Sequence, residues 1–193
     1  MEKDRLLAFT DGVVAIIITI MVLELKAPAG DDLASLLPTL PTFLSYVLSF
    51  IYVGIYWNNH HHYFQLVSRV DGTVLWANLH LLFWMSLIPF ATAWIGEHHS
   101  SAVPTAVYGV SLLMPALAWY VMRLAVIRTE GEDSTFARMV GGDLKGRISP
   151  VLYLAGVALA FVSPFIADAV YFLVAMMWLI PEKRAEQAMK ASG

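Results

Sequence analysis

The chain has 193 residues, 59% hydrophobic and only 14% charged, with a formal net charge of −3 and a mean hydropathy of +0.66. A soluble domain carries about 25% charged residues, so a water-soluble globule is excluded first; the long apolar runs also exclude a membrane barrel, whose strands alternate over about 10 residues. The absence of cysteine excludes disulfides, thiolate catalysis and Cys-ligated metals, and no basic patch interleaves with aromatics as a nucleic-acid interface requires.

The first apolar run lies in "RLLAFTDGVVAIIITIMVLELK", from Arg5 to Lys26. Its middle is rich in Val, Ile and Thr, the usual strand formers. Hydrocarbon requires every backbone polar group to be satisfied within the segment, so a spanning helix over 6–25 is expected instead. Mixed charges before the run and the lack of an A-x-A site after it predict an uncleaved segment. The second span is expected at 42–64, with Pro41 suited to a helix start. The third is expected at 74–95, and the fourth at 103–127 with a kink at Pro115. The stretch 148–181 is too long for one span. "SPFIAD" (Ser163–Asp168) divides it into a hairpin of two short helices, 148–163 and 166–181.

Fold class is thus an all-α integral membrane protein, one domain of six transmembrane helices over 1–193. With six spans, Lys3, Arg5, Arg69, Arg123, Arg128, Arg138, Lys145, Arg147, Lys183, Arg184 and Lys190 share one side, leaving only Lys26 opposite. The positive-inside rule then places both termini in the cytoplasm, with the chain a multi-pass protein of the cell membrane. The outer loops are short and carry Asp31, Asp32 and Glu97. The connection "TEGEDSTFARMVGGDLKG" is polar and Gly-rich, and is expected to be mobile. Little is left outside the membrane for chemistry, and no enzyme is expected.

Ionisable residues inside spans are costly and are functional candidates. They gather in one leaflet: Arg5, Thr10 and Asp11 on span 1; Trp57, Asn58, Asn59 and His60–His62 on span 2; Trp76, Asn78 and His80 on span 3. Such groups are expected to hydrogen-bond one another. Consecutive helical residues point about 100° apart, so His60, His61 and His62 cannot all face one ion. A hydrogen-bonded cluster, a pH sensor and a metal or haem site remain as readings of that run. On span 1, Arg5, Phe9, Gly12, Ile16, Ile20 and Leu23 form one stripe with Thr19 at its edge, while Asp11 points nearly opposite. Spacing alone assigns such a stripe to packing or lipid contact.

"RLLAFTDG" resembles the R-x-x-x-F-S/T-D signature of the transmembrane protein 175 family of potassium channels. "WNNHHHYFQ" fits its Trp-x-x-His pattern with a following Phe at Trp57, His60 and Phe64. "WANLHLLFWMSLIPF" fits its third-span Asn and Pro-aromatic at Asn78, Pro89 and Phe90. The resemblance covers Arg5 to Phe90, with Thr10 where Ser is common. It implies a homotetramer in the bilayer that conducts K+ over Na+, some members also passing protons (H+), with no cofactor and no metal. It further implies a central pore lined by the first span of each subunit. Ile16, Ile20 and Leu23 would be constrictions and Thr19 a selectivity-modulating position. Arg5, Phe9, Thr10, Asp11, Trp57, His60 and Asn78 would form a structural polar network.

The chain likewise has no T-V-G-Y-G filter. Glu24, Asp31 and Asp32 lie near the expected outer mouth, where they either concentrate cations or are solvated loop charges. The rival expectations are a proton-coupled carrier using Asp11 and the His cluster, a bis-His haem redox protein using His60 or His61 with His80, and a helper subunit without transport activity.

Overall fold

The computed structural model describes residues 3–140 and 143–179, and these contain helices and no strand. In chain order they form α1 (Lys3–Leu23), a 3-10 turn (Leu33–Thr39), α2 (Leu40–Gln65), α3 (Gly72–Met85), α4 (Ile88–Glu97), α5 (Ala102–Glu130), α6 (Thr135–Val140), α7 (Leu144–Leu159) and α8 (Pro164–Leu179). Among the described residues, Lys3–Leu23, Leu33–Gln65, Gly72–Glu97 and Ala102–Glu130 are long and apolar enough to cross a membrane, and Pro164–Leu179 is a shorter apolar helix. At ~1.5 Å per residue, α7 and α8 each reach about 24 Å, less than the ~30 Å hydrocarbon core.

Local chemistry sets the boundaries. Pro41 occupies the first turn of α2, where a missing N–H costs nothing. The expected third span is two helices instead of one. Pro89 cannot donate to the carbonyl of Met85, and its ring crowds that carbonyl. The chain therefore turns at Ser86 and Leu87, and Pro89 falls in the first turn of α4. Pro115, by contrast, lies inside α5 without ending it. A hairpin is present, but its turn lies at 160–163, earlier than expected: α7 ends at Leu159, and Pro164 opens α8, because proline suits the first turn of a helix. The C-terminal side of the last expected span, with Lys183, Arg184 and Lys190, lies outside the described residues.

Asp71 caps α3, its Oδ1 accepting from Val74 N at 2.9 Å. That bond, with a smaller contribution from Thr129, holds the Asp71 carboxyl below its ordinary value of 3.8. A carboxyl depressed in the folded state contributes stability that is complete above its unfolded pKa and is lost as pH falls through the folded one. Thermal unfolding of detergent-solubilised protein should therefore show a loss of melting temperature below about pH 4. Asp71→Asn, which keeps an acceptor, should flatten that loss relative to wild type. An identical acid limb in both proteins would show that Asp71 does not set it.

Packing fixes the two ends of the bundle. Lys3 Nζ donates to Val67 O at 3.2 Å, and the Glu130 carboxylate accepts from Ser68 N and Arg69 N at 2.8 and 2.6 Å. The start of α1, the α2–α3 connection and the end of α5 thus meet at one end. At the other end Lys26 Nζ pairs with Glu97 Oε1, joining the segment after α1 to the end of α4. Trp178 Nε1 donates to Ser149 Oγ at 2.8 Å, so the start of α7 and the end of α8 lie side by side.

α3 packs on α5, α5 on α7, α7 on α8, and α2 on α4, while α1 lies against α2, α3 and α4. One core cluster joins α1, α2, α3 and α5 through Leu6, Ile17, Phe64, Leu81 and Met122. The other joins α2, α4, α5, α7 and α8 around Tyr52, Leu112, Tyr153 and Tyr171. There a Cβ on Gly156 would sit 2.3 Å from Tyr171 Cε1, so glycine is what lets the buried ring of α8 lie against α7. Within the α5–α7 connection, α6 buries Phe136 with its ring edge-on to Tyr63 at 4.7 Å.

Candidate functional site

α1 divides cleanly by face. Leu6, Thr10, Val14, Ile17 and Met21 are buried in the chain's own core. The stripe of Arg5, Phe9, Gly12, Ile16, Ile20 and Leu23 is exposed along its whole length, with Thr19 beside it. Ile16 is 57% exposed and Leu23 80%, which eliminates packing within the subunit as the purpose of the stripe. Thr19 Oγ1 donates to its own helix at Ile16 O, 2.9 Å away. Its oxygen lone pairs remain on the exposed face.

The polar residues of α1–α3 come together in two groups. The inner group is buried. Asn78 Nδ2 donates to Thr10 Oγ1 at 3.0 Å, and Asn78 Oδ1 lies 2.8 Å from His60 Nε2. With the amide nitrogen on Thr10, the amide oxygen accepts, so His60 carries its proton on Nε2. The His60 ring rests on Phe64 at 4.5 Å. Asn78 therefore links α1, α2 and α3 through both ends of one amide. The outer group is exposed: Trp57 Nε1 donates to Asp11 Oδ1 at 2.9 Å. Asp11 turns away from the stripe, but to the margin of the α1–α2 contact and not to its interior.

Arg5 and Phe9 depart from the expected network. Both point outward on the stripe, and among the described residues Arg5 has no hydrogen-bonding or ionic partner. The reason is angular: both lie on the exposed arc, about 100° or more from Thr10 for Arg5 and for Phe9.

The histidine run separates by face as helical geometry requires. His60 is buried, while His61 and His62 are exposed; His61 lies 3.0 Å from the Gln65 amide. His80 Nε2 accepts from Trp84 Nε1 at 2.8 Å. His60 and His80 thus each commit Nε2 to a protein partner, which disfavours a pair of haem ligands.

At the opposite end Glu24, Asp31 and Asp32 are exposed. Asp32 has a structural task, capping the 3-10 turn by accepting from Ser35 N at 2.9 Å. Its hydrogen bonds with the Ser35 hydroxyl and backbone hold its carboxyl below the ordinary carboxylate value. The Lys26–Glu97 pair, which raises the Lys26 ammonium above its ordinary value, was not indicated by any motif. A second polar layer is equally silent in sequence: Thr92 Oγ1 lies 2.7 Å from Ser49 Oγ, and Ser49 Oγ 2.9 Å from the Tyr108 hydroxyl.

Residues 5–89, which carry this stripe and both polar groups, match the model of the family described as "Endosomal/lysosomal potassium channel TMEM175". A protein named as a potassium channel from Chryseobacterium sp. (strain P1-3) is 56% identical over 190 residues, 98% of this chain and 99% of that one. The chain belongs to the TMEM175 family. Another TMEM175 relative, named as a potassium channel from Streptomyces collinus, is 33% identical and covers 92% of this chain and 91% of its own. The crystal structure of a lysosomal potassium-selective channel TMEM175 homolog from Chamaesiphon minutus superposes with a TM-score of 0.79. It is 31% identical and covers 92% of this chain and 96% of that one. The TMEM175 fold and the apolar helices make this chain a multi-pass membrane protein.

Proposed function

We propose that the chain is the subunit of a potassium-selective cation channel whose central path is lined by the exposed stripe of α1. The observation that carries this reading is that stripe: Phe9, Ile16, Ile20 and Leu23 have no partner surface within a chain whose relatives are named potassium channels. One apolar stripe encloses nothing. Symmetric copies closing around an axis enclose a path, and four copies form the pore here.

Six spans cross the cell membrane, α1, α2, the α3–α4 pair, α5, α7 and α8, with the cationic end cytoplasmic. Ile16, Ile20 and Leu23 form apolar rings. The β-branched side chains of Ile16 and Ile20 are stiff at χ1 and give their rings defined radii. Such rings gate by dewetting. K+ is larger than Na+ and sheds water at lower cost, so a narrow apolar ring favours it without a carbonyl filter. Thr19, between the Ile16 and Leu23 levels, offers an oxygen to the ion and tunes that preference. Glu24 and Asp31 raise the local cation concentration at the outer mouth. Asp11–Trp57 and Thr10–Asn78–His60 hold α1 against α2 and α3, so the rings keep their radius.

Purified protein in liposomes should release K+ down its gradient at channel rates and Na+ more slowly. Saturable K+ flux far below channel rates, or none, would refute the reading.

A further inference from the structure

α2, α5, α7 and α8 leave a narrow cleft away from α1 that opens at its mouth. Its walls include Tyr56, Trp119, Tyr120 and Trp178, and Arg123 and Asp143 line it as well. Arg123 is 93% buried, being 7% exposed, yet its Nε has no hydrogen-bond partner among the described residues. Its Nη1 reaches Asp143 Oδ2 only at 3.9 Å, far beyond the ~2.7–2.9 Å of a charge-assisted bond. Asp143 keeps its place by accepting from Gly146 N through Oδ1 at 2.7 Å. A buried guanidinium N–H without an acceptor is costly and calls for one.

We infer that this cleft binds the head group of a zwitterionic phospholipid, with its phosphate on Arg123 and its ammonium between Asp143 and the aromatic rings. The pair of opposite charges makes the cleft neutral, so it matches a head group that is itself neutral but divided. A phosphate accepts from two terminal N–H groups of one guanidinium. An ammonium is attracted by a carboxylate and by the faces of Tyr and Trp. Tyr120, half exposed at the edge of the cleft, leaves an entry from the outer surface of the bundle. In a multi-pass membrane protein that surface meets lipid. The inference is independent of the ion path, since none of these residues lies on α1.

The test is native mass spectrometry of the full chain in detergent, titrated with phosphatidylethanolamine, phosphatidylglycerol, or free phosphoethanolamine. Wild type should retain phosphatidylethanolamine about tenfold more tightly than phosphatidylglycerol, and free phosphoethanolamine should not displace it at equal concentration. Arg123→Gln should lose retention of both lipids. Because that change alters a buried charge, Asp143→Asn carries the test separately: it keeps the cap on Gly146 and should abolish the preference between the lipids while leaving retention in place. Preference for phosphatidylglycerol in wild type, ready displacement by free phosphoethanolamine, or unchanged preference in Asp143→Asn would each overturn the assignment.

Discussion

In liposomes holding Ile16→Asn, Na+ should pass nearly as readily as K+, and the reversal potential under a K+/Na+ bi-ionic gradient should collapse toward zero. In the proposed pore the Ile16 ring excludes fully hydrated ions. With apolar walls an ion crosses only by shedding part of its hydration shell, and that cost differs between K+ and Na+. An Asn at this level offers a carbonyl and an amide to ion and water alike, so the constriction wets and the dehydration cost is offset for both ions. Conductance should rise, since a wetted ring no longer closes spontaneously. The fold should be unaffected, because Ile16 is 57% exposed in the subunit and removes no core contact. A variant with wild-type permeability ratios would show that selectivity resides elsewhere on the path.

Asn78→Leu should give the largest loss of stability. Asn78 is buried and is the shared partner of Thr10 and His60. Leucine leaves the His60 Nε2–H and the Thr10 hydroxyl unpaired, at on the order of 1–3 kcal/mol for each buried group. Detergent-solubilised Asn78→Leu should therefore unfold at a clearly lower temperature and yield less assembled protein. Replacing the partners as well, in Thr10→Val, His60→Phe, Asn78→Leu, should recover much of the loss, because removing every polar member of a buried network together is far cheaper than orphaning some of them. If the triple variant is no more stable than the single one, the loss comes from the shape of the Asn78 site and not from hydrogen bonding.

The helical architecture was legible because hydrocarbon leaves a chain of this composition so few choices. Apolar length alone predicted the positions of α1, α2 and α5, and Ser163–Asp168 announced the α7–α8 hairpin. The break at Ser86 and Leu87 was not legible, since a proline in the first turn of a new helix and one inside a continuing helix, as at Pro115, look alike in sequence. Depth along the spans gathered Thr10, Asn78 and His60 correctly into one layer. Motif membership, however, carries no angular information. It placed Arg5 and Phe9 with the polar network, although about 100° per residue already put them on the stripe.

Contacts set only by tertiary packing left no trace in sequence. Lys26 and Glu97 are 71 positions apart with no spacing rule to join them, and Arg123 was visible only as one more charge at the cationic end. Its lack of an acceptor for Nε depends on how α5 sits against α7.

In the proposed channel the exposed stripe of α1 faces the ion path. The native chain has no cysteine, so single cysteines can be introduced without background. Ile20→Cys and Leu23→Cys lie on the stripe, whereas Ala15→Cys and Val22→Cys are exposed on the part of α1 turned about 100° from it. K+ flux through the stripe variants should be blocked by a cationic thiol reagent, and flux through the other two should be untouched. Block at Ala15 and Val22 with free flux through modified Ile20 and Leu23 variants would move the path to another face of the helix.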